Sequence, residues 1–383
     1  ISCTAGASSH NFDTIKKNNY NSWGGAVCVR GYNAKVQRCD FYDNYANCYG
    51  GAVYSGWSGS SIENCSFYAN RCQDGYGNDV YLDADSGIDV KNCMFLSGGK
   101  YSAGKAAKSW TGNSVGMEKY NPFSGGNGTK DDPYTITNAG QWKLFALNVI
   151  NGETYAGKYI DLTADISIAY VPVGKYGDKK AFKGIFNGNN HTVHYLDCSE
   201  SYDRGLFSYC IDATVKNVRV TGSVRGTITI AGICAVSNNC IFENCINDAD
   251  VTSINDSWVG GISAPSTNCN YIHCTNNGTI HGGKDIVGGI AGNVYGNTLF
   301  TDCRNNGAIY APGDNAGGMI GEATDFVTLK RCVNNARVDA GRTAGGMIGC
   351  LRKGADIRSC INTENGEMHA GTYAAGMIAY VDK

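Results

Sequence analysis

The chain has 383 residues, a formal net charge of −2, 52 glycines, 24 tyrosines and only 5 prolines. With no basic block it lacks the electrostatic footprint of a nucleic-acid or anionic-membrane binder, and no apolar run is long enough to span a bilayer. Glycine follows no collagen period, so the composition points to a turn-dense β protein.

Residues 1–99 carry a repeat of about 26 residues. Cys39-Asp-Phe41-Tyr-Asp-Asn44 is echoed by Cys65-Ser-Phe67-Tyr-Ala-Asn70, and Cys93-Met-Phe95 starts a third copy. Ile62 falls out of phase with Cys65 and Phe67, which implies a bend between them, with Cys65 and Phe67 on one face. Tyr20, Trp23, Tyr42, Tyr54, Trp57 and Tyr68 are the candidate ligand-binding aromatics of this region. Tyr42 and Tyr68 follow Phe41 and Phe67 and are expected to point outward. Exposed aromatic platforms hold sugar rings or proteins at low entropy cost; stiffening of the coil surface is the competing reading. Asp83-Ala-Asp85-Ser-Gly87-Ile-Asp89 spaces oxygen donors around a glycine turn, so Asp83, Asp85 and Asp89 are a candidate calcium site. It lacks the terminal Glu of an EF-hand, and a plain acidic turn competes. No other cofactor is expected.

Residues 100–130, rich in Gly, Ser, Lys and Asn, read as a linker or junction. Residues 131–221 open a second unit. Asn138 caps a helix expected over 138–149, with Trp142, Phe145 and Val149 at helical spacing. Its role is to cover the open end of a β stack. Strands are expected at Tyr159–Leu162, Asp165–Ile168, Phe182–Phe186, His191–Tyr195 and Thr214–Val220.

Residues 222–383 repeat every 28–29 residues. Cys245, Cys274, Cys303, Cys332 and Cys360 are separated by 29, 29, 29 and 28 residues, and Asn247, Asn276, Asn305, Asn334 and Asn362 follow two places later. Gly260-Gly-Ile, Gly288-Gly-Ile, Gly317-Gly-Met and Gly345-Gly-Met recur between them. Such a period means a repeat architecture. The fold expected is all-β: a right-handed parallel β-helix (solenoid) in two β-helical units, with three short strands per coil and one capping helix. Stacked coils lie about 4.8 Å apart, so the repeated cysteines form an interior free-thiol ladder and the asparagines, at a turn, a ladder of amide-to-amide bonds. The off-register cysteines (Cys3, Cys28, Cys48, Cys72, Cys198, Cys210, Cys240, Cys269 and Cys350) are the stronger disulfide candidates.

At these residues two resemblances emerge. The Gly-Gly-Ala-Val and Phe-x-x-Asn phrases of residues 24–95 resemble the repeats of polymorphic outer-membrane proteins and related adhesin-like β-helices. Val287-Gly-Gly-Ile-Ala-Gly292 and its copies, with Cys-x-Asn-x-Gly between them, resemble GLUG-motif repeat proteins. The resemblance implies an exported, extracellular or cell-surface protein with an adhesive role, and it brings no catalytic residues. The chain opens at Ile1 inside a repeat-like phrase, and a fragment or processed product is expected.

The residues argue mostly against catalysis. A glycosidase needs two carboxylates flanking one bond, whereas the slots before the ladder cysteines are Asn244, His273, Asp302, Arg331 and Ser359. Asp302 beside Arg331 reads as a surface ion pair, and Asp248 with Asp250 as a solvated turn. His191 and His194 read as structural, and the six histidines form no metal-spaced motif. The expectation is therefore a non-enzymatic cell-surface protein, a rigid β-helical structure for attachment to host or community glycans or proteins, with no nucleic-acid partner and no membrane insertion of its own. One alternative is a subunit of an extracellular filament joined head to tail with itself; another is a β-helical polysaccharide lyase or glycoside hydrolase.

Overall fold

A computed structural model describes residues 26–29, 33–37, 39–42, 45–46, 50–56, 59–63, 65–68, 71–72, 80–82, 89–91, 94–95, 102–103, 110–111, 122–168, 172–195, 203–255, 258–284 and 286–382. The chain divides into two compact units, Ile1–Tyr120 and Asn121–Lys383.

In the first unit, Val27–Val29, Val53–Ser55, Val80–Leu82 and Ser102–Ala103 stack as one parallel sheet. Val27 pairs with Val53 and Asp40 with Ser66, so one coil is one 26-residue repeat. Phe41 stacks on Phe67 with ring centroids 4.9 Å apart. Ile62 is buried in the same core as Cys65 and Phe67, because the chain turns between strands Ser61–Glu63 and Ser66–Tyr68.

The second unit is a parallel β-solenoid. Its coils contain five short strands rather than three. In one coil these are Ile241–Glu243, Ile246–Asn247, Asp250–Ser253, Trp258–Gly260 and Ser263–Thr267, each pairing with its counterparts in the neighbouring coils. Local backbone chemistry subdivides the coil. Asn244, His273, Asp302, Arg331 and Ser359, the slots before the ladder cysteines, all take left-handed backbone with φ of 51–55°. That conformation makes the corner, and asparagine tolerates it best. The same corner at Asn217 (φ 51°) splits the expected strand Thr214–Val220 in two. At the glycine pairs the chain folds too tightly for a side chain: a Cβ on Gly260 would lie 1.9 Å from the Ser263 carbonyl oxygen.

Inside the coils one column of the nine-stranded sheet carries Phe186, Val215, Phe242, Tyr271, Phe300 and Leu329 in register, all fully buried. Phe242, Tyr271 and Phe300 stack at 5.2 and 4.6 Å. The helix α1, Ala139–Ile150, lies against the first aromatic layer: Trp142 meets Phe186 and Phe207, and Phe145 meets Phe182. Asn138 caps it by accepting from the Gln141 N–H at 3.0 Å, and the Gln141 side chain accepts in return from the Thr137 N–H at 2.7 Å. This is a capping box displaced by one residue. Among the described residues no helix is long and apolar enough to cross a membrane.

Candidate functional site

The two repeated columns occupy the interior. Cys245, Cys274, Cys303 and Cys332 are fully buried free thiols, and Cys360 is half-buried. Cys245, Cys274 and Cys303 each donate to a carbonyl one coil back, from Val215, Phe242 and Tyr271, at 3.3–3.4 Å. Burial pushes the Cys245 and Cys303 thiols well up, which favours the neutral form. Asn247, Asn276, Asn305 and Asn334 are fully buried; each donates to the side-chain oxygen of the next asparagine, ending on half-buried Asn362, at 2.7–2.9 Å. The Nδ2 of each of the four also reaches a carbonyl two residues on, at 2.9–3.1 Å. A buried amide is costly unless bonded, and here every rung satisfies its neighbour.

Off-register cysteines differ from the expectation of disulfides. Cys28, Cys210, Cys240, Cys269 and Cys350 are free thiols. Cys240 and Cys269 form a second stack, with the Cys240 N–H donating to the Cys269 sulfur at 3.4 Å. Their own separation of 29 residues was the signal for it. The side chain of Cys72, and all of Cys3, Cys48 and Cys198, lie outside the described residues.

The early aromatics divide. Tyr54 is buried, not an exposed platform: it lies in the register column of Cys28 and Tyr81, outside the core that takes Val53, and stacks on Tyr81 at 5.9 Å. Tyr42 and Tyr68 are register partners; their side chains, and Tyr20, Trp23 and Trp57 entirely, lie outside the described residues. So do Asp83, Asp85 and the side chain of Asp89. Among the described residues no three His, Cys, Asp or Glu side chains converge as a metal site.

The weighed carboxylates are engaged, Asp302 and Asp248 by arginines and Asp250 by backbone. Arg331 grips Asp302 with two bonds of 2.8 and 2.6 Å and holds its carboxyl below the usual range. Asp248 pairs with Arg219 and accepts from Asn277, while Asp250 accepts from the Thr279 N–H. His191 bonds Asp165 at 3.1 Å, and His194 bonds Thr221 at 3.0 Å.

Two constellations outside this set stand out. The first is a solvent-open groove of about 400 Å³ whose walls are His281, Tyr310 and Asp339, with Gly282, Pro312 and Gly341 at its corner. His281, Tyr310 and Asp339 occupy one outward register position on three successive coils. The His281 and Tyr310 rings stack at 5.1 Å, 13° from parallel. Arg337 donates to Asp339 at 2.8 Å, and Asp339 holds the guanidinium more firmly protonated. Sequence reasoning passed over this row, although its members recur at the same 29-residue spacing as the cysteines.

The second is a buried polar network. Glu322 is 5% exposed. It accepts from Arg352 at 2.6 and 3.3 Å and from Asn315 at 3.1 Å; Thr343 donates to Asn315 at 2.7 Å, and Arg352 also binds Asp382 at 2.8 Å. Cys350 lies in register with Glu322, and burial, then the Glu322 charge, pushes its thiol up to about 11. The network satisfies itself and leaves no activated nucleophile at Cys350.

No family model matches the chain. A provisionally named Gly-rich membrane protein of Evansella cellulosilytica is 27% identical over 145 residues, which cover 34% of this chain and 16% of that relative's length. Among solved structures, a provisionally named immunoglobulin A1 protease from Bacteroides ovatus is similar with a TM-score of 0.55 at 22% identity, over 68% of this chain and 87% of that one. That likeness is one of fold.

Proposed function

We propose that this chain is a non-catalytic β-solenoid of an exported, surface-displayed protein, and that it presents outward side-chain rows for attachment. Its Gly-Gly-Ile and Gly-Gly-Met phrases, which resemble GLUG-type repeats of adhesin-like proteins, support this reading. The observation that carries the reading is the His281–Tyr310–Asp339 groove, a ligand-sized recess held on three coils whose interiors are locked by buried ladders. A rigid stack fixes the spacing of outward groups in advance, so binding costs little ordering. The Evansella relative's name, a Gly-rich membrane protein, agrees with surface display. The name of the Bacteroides neighbour raises proteolysis, but the Cys350 thiol is held protonated and the weighed carboxylates Asp248 and Asp302 are spent on Arg219 and Arg331.

The test puts the purified chain on immobilised polysaccharides and on protein-coated surfaces, with turnover followed in the same samples. Retention without released sugars or cleaved peptides is the expected outcome. Sustained release of unsaturated uronates, reducing ends or peptides makes the protein an enzyme and removes this reading.

A further inference from the structure

We infer that the groove beside Tyr310 is a saccharide subsite for a neutral oligosaccharide; this rests on the attachment reading above and names its ligand class. Tyr310 is 38% exposed. Its ring is braced from behind by His281, so it offers a fixed apolar surface to the C–H face of a sugar. Asp339, one coil further on, supplies a carboxylate that accepts from sugar hydroxyls.

Charge selects the class. A bare carboxylate beside an aromatic ring favours a cation, and an unopposed arginine favours an anion. Arg337 bonds Asp339 at 2.8 Å, so each offsets the other and the recess keeps hydrogen-bonding capacity with little net charge. The corner is backbone held in place: Gly282 N–H donates to the Tyr310 carbonyl at 2.7 Å and Gly341 N–H to the Ala311 carbonyl at 2.8 Å. A Cβ on Gly341 would lie 2.1 Å from the Gly313 carbonyl oxygen, so the backbones meet with no room for a side chain. The volume of about 400 Å³ falls in the range of small-ligand sites and takes one or two sugar units.

Calorimetry on the full chain, with cellohexaose and laminarihexaose as neutral probes, tests this, with hexagalacturonate as the acidic and hexalysine as the cationic comparison. A neutral hexasaccharide binds. Tyr310→Ala weakens it about tenfold or more, equivalent to about 1.4 kcal/mol, while Tyr310→Phe keeps it within about threefold because the ring remains. Asp339→Ala weakens the neutral probe and, by freeing Arg337, improves binding of hexagalacturonate. Arg331→Ala, at another corner of the coil, changes nothing. Circular dichroism of each variant establishes that it folds. Neutral binding that survives Tyr310→Ala overturns the site but leaves the attachment reading standing. Preference of the unaltered protein for hexagalacturonate or hexalysine overturns the ligand class. Absence of binding to all four probes, with retention on protein-coated surfaces, overturns the inference alone; absence of all retention removes both.

Discussion

The repeated asparagine is the residue on which each coil depends most visibly. Asn305 donates to Asn334 at 2.9 Å and accepts from Asn276 at 2.8 Å, at zero exposure. Replacing it by alanine leaves neighbouring amides short of partners, so Asn305→Ala costs about 1–3 kcal/mol in denaturant unfolding. A cost below about 0.5 kcal/mol would mean that the amide ladder is incidental. Cys303 packs as a small hydrophobe, and Cys303→Asp costs more, because an unpaired carboxylate cannot stay charged there; unchanged thermal stability would place the column outside the core. Asp302 works the other way round, at the surface. Arg331 depresses its folded pKa, so the pair's stabilisation is complete above the unfolded carboxylate value and is lost as pH falls through the folded one. The pair is solvent-screened and contributes little. The difference in Tm between the unaltered protein and Asp302→Asn is accordingly small and constant above the ordinary carboxylate range and shrinks away as pH falls below it.

Among the elements, α1 has a job that its sequence announced. Trp142, Phe145 and Val149 are at most 1% exposed and cover the first aromatic layer. Phe145→Ala opens a cavity between helix and coil and costs about 3–5 kcal/mol, whereas Asn138→Ala removes only the cap and costs about 1 kcal/mol. Equal effects in urea unfolding would show that the helix does not act as a plug. The short strands are set by their corners. The Gly-Gly phrase was legible as a recurrence, but its reason is spatial: at Gly317 a Cβ would stand 1.9 Å from the Ile320 carbonyl oxygen. The left-handed slot was not legible, because asparagine, histidine, aspartate, arginine and serine share it and no single residue type marks it.

The second unit as a whole is a set of near-equivalent coils in which each pairs with its neighbours along the stack. Stability is then close to a sum of coil and interface terms. Deleting residues 246–274 joins Cys245 to Thr275 and removes one 29-residue period, as Cys274 precedes Thr275 in the unaltered chain. The shortened protein keeps its β circular dichroism and its groove, at the cost of about one coil. Deleting half a period takes the cysteine and asparagine columns out of register with their counterparts on the neighbouring coils and abolishes cooperative unfolding. If the two deletions behave alike, the coils are not interchangeable units.

The sequence by itself determined the parallel stack, its period, the interior place of Cys245 to Cys332, the amide-to-amide bonding of Asn247 to Asn334, though not their full burial, and the helix at the head of the second unit. Period and polarity are properties of the chain, and in a solenoid the residue one period away is the neighbour in space. Tertiary structure alone decided what depends on the path between those points. It divided the coil into five strands, left Tyr54 covered rather than exposed, left Cys210, Cys240, Cys269 and Cys350 as free thiols, and joined Glu322 to Arg352 across coils. The groove lies between these cases: the spacing of His281, Tyr310 and Asp339 was already in the sequence, but a concave surface exists only once the corner at Pro312 and Gly341 folds beside them.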